Sequence, residues 1–180
     1  MHPPSEHAPL PTPHAQPPLP PPPGEAELLA LALRLRQLAR AGALPRLLRG
    51  KNIGLLCDAA SPQDPAPLLR AAGELGAQVA TVRWRPSSAP VDTGASNGHT
   101  PHEVQHTGRM LGRLYDAVVC QGMPPALVRQ LAQAAGVPVY DDIAAEAHPS
   151  ARMAQALGDE AAPGDNRRFV LQAMLVDGLA

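Results

Sequence analysis

Little in this chain points towards a membrane, a secretory route or a polyanionic partner. No apolar run reaches the ~20 residues that a bilayer-spanning helix needs. No leader pattern of charged, apolar and small-residue regions precedes the folded part. Glu25 and Glu27 count against an organellar transit peptide. Charge of one sign is lacking, with 15 basic residues against 16 acidic, so broad attraction to nucleic acid or anionic lipid is excluded. Cysteine is scarce as well. Cys57 and Cys120 lie far apart and each closes an apolar run, so free thiols buried in a reducing cytoplasm are expected.

Proline is not scarce, but it is concentrated. Of the first 23 residues 11 are proline, and residues 1–24 read as a disordered, polyproline-II-like tail. The chain from there to residue 180 is long enough to bury a core. Residues 25–40 place Leu28, Leu31, Leu35 and Leu38 at helical spacing, with Arg34, Arg36 and Gln37 mostly elsewhere. Four short apolar runs follow, at 53–57, 78–83, 116–120 and 137–141, each bounded by turn residues and apolar on both faces. Helical patterns at 67–77, 101–114 and 125–136 separate them. This alternation predicts an α/β fold, a parallel sheet of about four strands with helices on both faces. The polar stretch 86–99 reads as a mobile loop. Two helices end the chain, near 149–157 and 165–178, the second capped by Asp165 or Asn166.

In open parallel sheets ligands bind beyond the carboxyl ends of the strands. Three segments arrive there: Asp58 to Pro65, Gln121 to Met123 and Asp141 to His148. In the first, Ser61 is placed to cap a helix, Pro62 suits its first turn and Asp64 completes an acidic capping box. A bare helix start attracts phosphate. Here Pro62 and Pro65 lack N–H donors and Asp64 brings its own charge to the dipole. The segment makes a good helix start and a poor anion site. His148, ahead of Pro149, reads as a loop or cap residue. His102 and His106 share a helical face, with His99 nearby, but no further ligand completes a metal set. Thr100 and Glu103 instead form a capping box there.

These segments also carry a family likeness. LRGKNIGLLCDAAS (48–61), HTGRMLGRLYDAVVCQG (106–122) and AGVPVYDDIAAEAHPSARMAQAL (135–157) follow one another in the order and spacing of the carbamoyl-phosphate-binding domain of the aspartate and ornithine carbamoyltransferases. The chain resembles the ornithine branch more closely. DNRRFVLQAMLVDGL (165–179) resembles that family's last helix, which returns to pack on the first domain. The resemblance implies that residues 25–158 form the carbamoyl-phosphate domain. It also implies that 159–164 stand where the amino-acid-binding domain would be, and that 165–180 close the first domain.

Carried over by position, the family's S-T-R-T-R phosphate loop retains Ser61 but has Pro62, Gln63, Asp64 and Pro65 in place of the rest. Gln121 stands at the arginine that contacts the carbamoyl group. His148 and Pro149 remain from H-P-x-Q, with Ala151 replacing its glutamine, and His106 stands where an aspartate is usual. A charge-assisted hydrogen bond contributes roughly 1.5–3 kcal/mol, so three absent arginines remove ~4.5 kcal/mol, about three decades of affinity.

The resemblance therefore implies a carbamoyltransferase-like protein with impaired catalysis. It would act by association, as a homo-oligomer such as the family's trimer or mixed with a true carbamoyltransferase. Carbamoyl phosphate or another small anion is the implied ligand, weakly held, and no cofactor or metal is implied. Two alternatives stand beside this expectation. One is an active carbamoyltransferase with an altered phosphate loop, holding its anion through Ser61, Gln63, Gln121 and His148. The other is a small α/β binding module that uses its proline-rich tail as a partner ligand.

Overall fold

A computed structural model describes residues 24–58, 63–84, 100–158 and 163–179. The proline-rich tail and the stretch expected to be a mobile loop lie outside these residues. The chain runs α1 (Glu25–Arg40), β1 (Asn52–Asp58), α2 (Ala66–Glu74), β2 (Gln78–Trp84), α3 (Pro101–Leu114), β3 (Ala117–Gln121), α4 (Pro125–Ala135), β4 (Val139–Asp141), α5 (Pro149–Ala156) and α6 (Pro163–Leu179). The strands pair in parallel in the order β2-β1-β3-β4. The expected α/β class and its four strands are what the chain forms. No helix among the described residues is long and apolar enough to cross a membrane.

Side chains on a strand alternate between faces, and the two central strands use both. Ile53, Leu55, Ala117 and Val119 face a layer made of α1, α2, α5 and α6. Leu56, Val118 and Cys120 face α3 and α4. Burial on both faces, expected of all four runs, is confined to β1 and β3. The edge strand β2 leaves Gln78, Ala80, Thr81 and Arg83 exposed, and the three residues of β4 are half-buried. Each edge strand has a neighbour on one side only, so the helical layers centre on β1 and β3 and cover the edges less.

The last helix is the centre of its layer. In α6, Phe169, Val170, Leu171, Ala173, Leu175 and Val176 are all buried, a helix apolar nearly all round, as an interior helix must be. It packs against α1, α2 and α5. Its polar groups are tied down at both ends of that contact. Glu74 accepts from Arg168 Nη1 at 2.9 Å and from Gln172 Nε2 at 2.9 Å. Arg36 Nη1 donates to Leu157 O at 2.9 Å and to Asn166 Oδ1 at 3.0 Å, and Asn166 Nδ2 donates to Gly158 O at 2.7 Å. Asp165 and Asn166 do not cap this helix. It begins at Pro163, so both lie inside its first turn, where a proline at the start needs no donor. Asn166 is instead buried against Arg36.

The other layer holds α3 and α4 close together. At Gly108 an added Cβ would come within 2.8 Å of Ala134 Cβ, and at Gly112 it would overlap the Ala135 carbonyl oxygen. Gly112→Ala tests this contact with two opposing terms. Alanine favours a helix over glycine by ~1 kcal/mol, whereas forcing a methyl against a backbone carbonyl costs about 1–3 kcal/mol. A net loss is expected, read as a lower urea midpoint at unchanged m-value. A raised midpoint would mean that α3 and α4 do not touch here.

Candidate functional site at the carboxyl ends of the strands

All four strands run the same way, so Asp58, Gln121 and Asp141 finish at one edge of the sheet. The strand order reverses between β1 and β3, and that reversal opens a crevice between the segments that leave them. Cys57 and Gln121 are paired across β1 and β3, so their side chains emerge side by side on one face. Cys57 Sγ donates to Gln121 Oε1 at 3.6 Å, and Gln121 Nε2 donates to the Asp64 carbonyl oxygen at 3.1 Å. Gln121 is only 4% exposed. Both ends of its carboxamide are engaged by neutral groups of the protein, and it bridges the crevice from β3 to the loop after β1.

That loop differs from the sequence expectation in one respect. The helix α2 starts at Ala66, with Pro65 at its cap position and no side-chain cap on that residue. Ser61 therefore does not cap it, and Asp64 is not its third residue. A residue before proline disfavours the α region, which suits Asp64 to a place outside the helix, while Pro67 sits in the first turn, where its missing N–H costs little. Asp64 Oδ1 accepts from the Ala66 N–H at 2.9 Å, so a carboxylate of the chain occupies a donor that an anion would use. Gln63 is half-buried beside it. Ser61 and Pro62 lie outside the described residues.

The third segment is joined to the second. Gly122 N donates to Asp142 Oδ1 at 2.8 Å, and Asp142 N donates to Cys120 O at 2.9 Å. Asp142 has φ of 49°, the one positive value at a non-glycine position among the described residues, a conformation that aspartate tolerates better than most. His148 caps α5, as the loop-or-cap expectation had it. Its Nδ1 accepts from Ser150 N at 3.1 Å, and the fully buried Ser150 donates from Oγ to Ile143 O at 2.7 Å. Ala151 lies in the first turn of α5 and offers only a methyl group beyond its backbone.

Charges near the crevice influence one another. Burial raises the Asp141 carboxyl above its usual range and Asp142 adds to this, while His148 and Arg129 oppose it. Burial lowers His148 from its ordinary value and Arg167 adds to this, against Asp141 and Asp142. Arg167 donates to Ala145 O from α6. Cys120 is pushed up to about 12 by burial, then by Asp141, Asp142 and Cys57, and burial raises Cys57 against the pull of Arg83. Neither cysteine is paired in a disulfide, and neither is a thiolate nucleophile at neutral pH.

Away from the crevice, His102 and His106 are exposed on α3, and Thr100 and Glu103 form the expected capping box. No group of three His, Cys, Asp or Glu residues among the described residues could hold a metal ion. His99 lies outside them. Sequence reasoning reached Gln121 and His148 but missed Cys57, Asp142 and Arg167. The Asp-Asp pair directly after an apolar run was a usable signal for a left-handed turn residue; nothing local marked the other two.

Comparison with known proteins fits this geometry. No protein-family model matches the chain. Ornithine carbamoyltransferase of Cutibacterium acnes is 34% identical over 125 residues, 68% of this chain and 34% of that protein. The catabolic ornithine carbamoyltransferase of Haemophilus influenzae is 34% identical over 123 residues, with the same coverage. Among solved structures, ornithine carbamoyltransferase from Pyrococcus furiosus superposes with a TM-score of 0.56 at 21% identity, over 74% of this chain and 40% of that one. The catalytic subunit of M. jannaschii aspartate transcarbamoylase gives 0.55 at 22% identity, over 73% and 40%. This is a carbamoyltransferase-like protein. It spans about a third of the length of the curated relatives it matches, and the likeness to the solved structures is one of fold.

The cap on α5 makes this carbamoyltransferase-like protein sensitive to acid. The folded state holds His148 below its ordinary value, so the unfolded chain binds the proton more readily and stability falls as pH drops below about 6.5. His148→Asn keeps a good capping residue and removes the titration. It is expected to match the wild type at about pH 7.5 and to exceed it at about pH 5.5 in urea unfolding. His148→Ala loses about 1 kcal/mol at the higher pH. Parallel pH profiles for wild type and His148→Asn would refute this role.

Proposed function

We propose that this carbamoyltransferase-like protein corresponds to the carbamoyl-phosphate domain of its relatives with the ligand crevice closed, and that it acts by subunit association rather than by turnover. The observation that carries this is the Gln121 clasp. The side chain at the position of a ligand-binding arginine is neutral, buried and bonded at both ends within the protein. Asp64 adds a carboxylate at the start of α2, where the family's loop carries arginines. Of the arginines near the crevice, Arg167 donates to Ala145 O, while Arg83 and Arg129 are exposed.

In this assignment Ser61, Pro62, Gln63, Asp64, Pro65, Gln121, His148 and Ala151 occupy carbamoyl-phosphate positions without forming a competent site. Residues 25–158 are the domain, and 159–164, the last two of which open α6, stand where the amino-acid-binding domain would be. The helix that follows gives this domain an apolar cover. In this assignment the short connection between α5 and α6 leaves no room there for a domain that would hold the amino-acid substrate. A family enzyme depends on holding two substrates together and on charge placed at the reacting centre. Association would be with further copies of the chain or with a true carbamoyltransferase.

Calorimetric titration of the full chain at low salt, with carbamoyl phosphate and with inorganic phosphate, is expected to give no heat up to about 1 mM ligand. Micromolar binding would show that the loop supplies replacement donors and would restore the active-enzyme alternative. Sedimentation of the chain alone, and mixed with an active ornithine carbamoyltransferase, tests the second half. A lone monomer in both samples would remove association.

A further inference from the structure

The outer surface of the α3–α4 layer carries a groove of about 460 Å³, lined by Pro101, Gln105, Arg109, Gln130, Gln133 and Ala134. It is separate from the Gln121 clasp. Its two walls come from α3 and α4, which pack closely at Gly108 and Gly112. Its chemistry is one-sided. Arg109 lines it, and Arg113 lies one turn further along the same side of α3; both are exposed and neither has a hydrogen bond or ion pair among the described residues. Arg113 lies in the last turn of α3, where the helix dipole favours a cation, but no carboxylate on these helices pairs with either arginine. The one carboxylate on α3 is Glu103, held by its capping box, and α4 has none. This basic strip belongs to a chain whose net charge is −1.

We infer that this groove docks an acidic, extended peptide segment of a partner protein. Arg109 and Arg113 would take carboxylates spaced along the peptide. Gln105, Gln130 and Gln133 each present a carboxamide that both donates and accepts, which matches a peptide backbone. A phosphate group requires donors alone, and nucleic acid requires a longer cationic track than two arginines provide.

The probe is a blocked decapeptide of alternating glutamate and serine, titrated into the ¹⁵N-labelled full chain at low salt, with a glutamine-for-glutamate peptide as control. Amide shifts are expected at Gln105, Arg109, Gln130 and Gln133. Affinity should fall about tenfold in Arg109→Glu and several-fold as ionic strength rises past about 0.1 M. Gln133→Ala, which leaves the charge unchanged, should also weaken binding. Four results would each overturn the inference: no shifts, equal binding of the glutamine peptide, the same shifts from inorganic phosphate, or shifts centred on Asp64 and Gln121. Groove shifts that depend on protein concentration without peptide would make the surface an interface between copies, and would equally exclude it.

Discussion

Parallel pairing of β1 with β3 is the constraint on which the rest of the molecule depends. The two strands were brought together across an intervening strand and two helices, so the sheet grows outward from this pair in both directions. Their opposite faces supply the centres of both cores, Leu55 with Val119 on one side and Leu56 with Cys120 on the other. The same register sets Cys57 beside Gln121 at the edge where ligands bind in such sheets. A slip of one residue would send every one of these side chains to the wrong face.

The two helical layers solve different packing problems. Around α6 the contact is large and apolar; Arg36, Asn166 and Gln172 are buried in it and Glu74 is half-buried at its rim. Arg36, Asn166, Gln172 and Glu74 then have to find one another, because a polar group buried without a partner is costly. Their hydrogen bonds fix where α6 sits along α1 and α2. Between α3 and α4 the contact is close because glycine permits it. The outer surface there carries no structural burden, which leaves its side chains open to another role.

At the crevice, several polar groups among the described residues are engaged within the protein. Gln121 bridges Cys57 and Asp64, the Asp64 carboxylate takes the Ala66 N–H, and Asp142 takes the N–H of Gly122. A binding site keeps donors unsatisfied until its ligand arrives. Here Gln121, Asp64 and Asp142 already hold partners of the chain, and this supports the proposed reading of the crevice.

The linear sequence determined the alternation of strands and helices, because period-two and period-3.6 patterns are local and each element here is short and strongly marked. It also determined the Thr100–Glu103 cap and the capping place of His148, since both depend on residues within one turn. Three outcomes lay beyond it. The exposure of β2 depends on strand order, which no local pattern encodes. The start of α2 at Ala66 is not where the capping-box pattern at Ser61 and Asp64 placed it, because three prolines in one short segment leave several starts open to local reasoning. The Gln121 clasp joins residues 57 positions or more apart. Only the β1–β3 register could bring those groups within hydrogen-bonding distance.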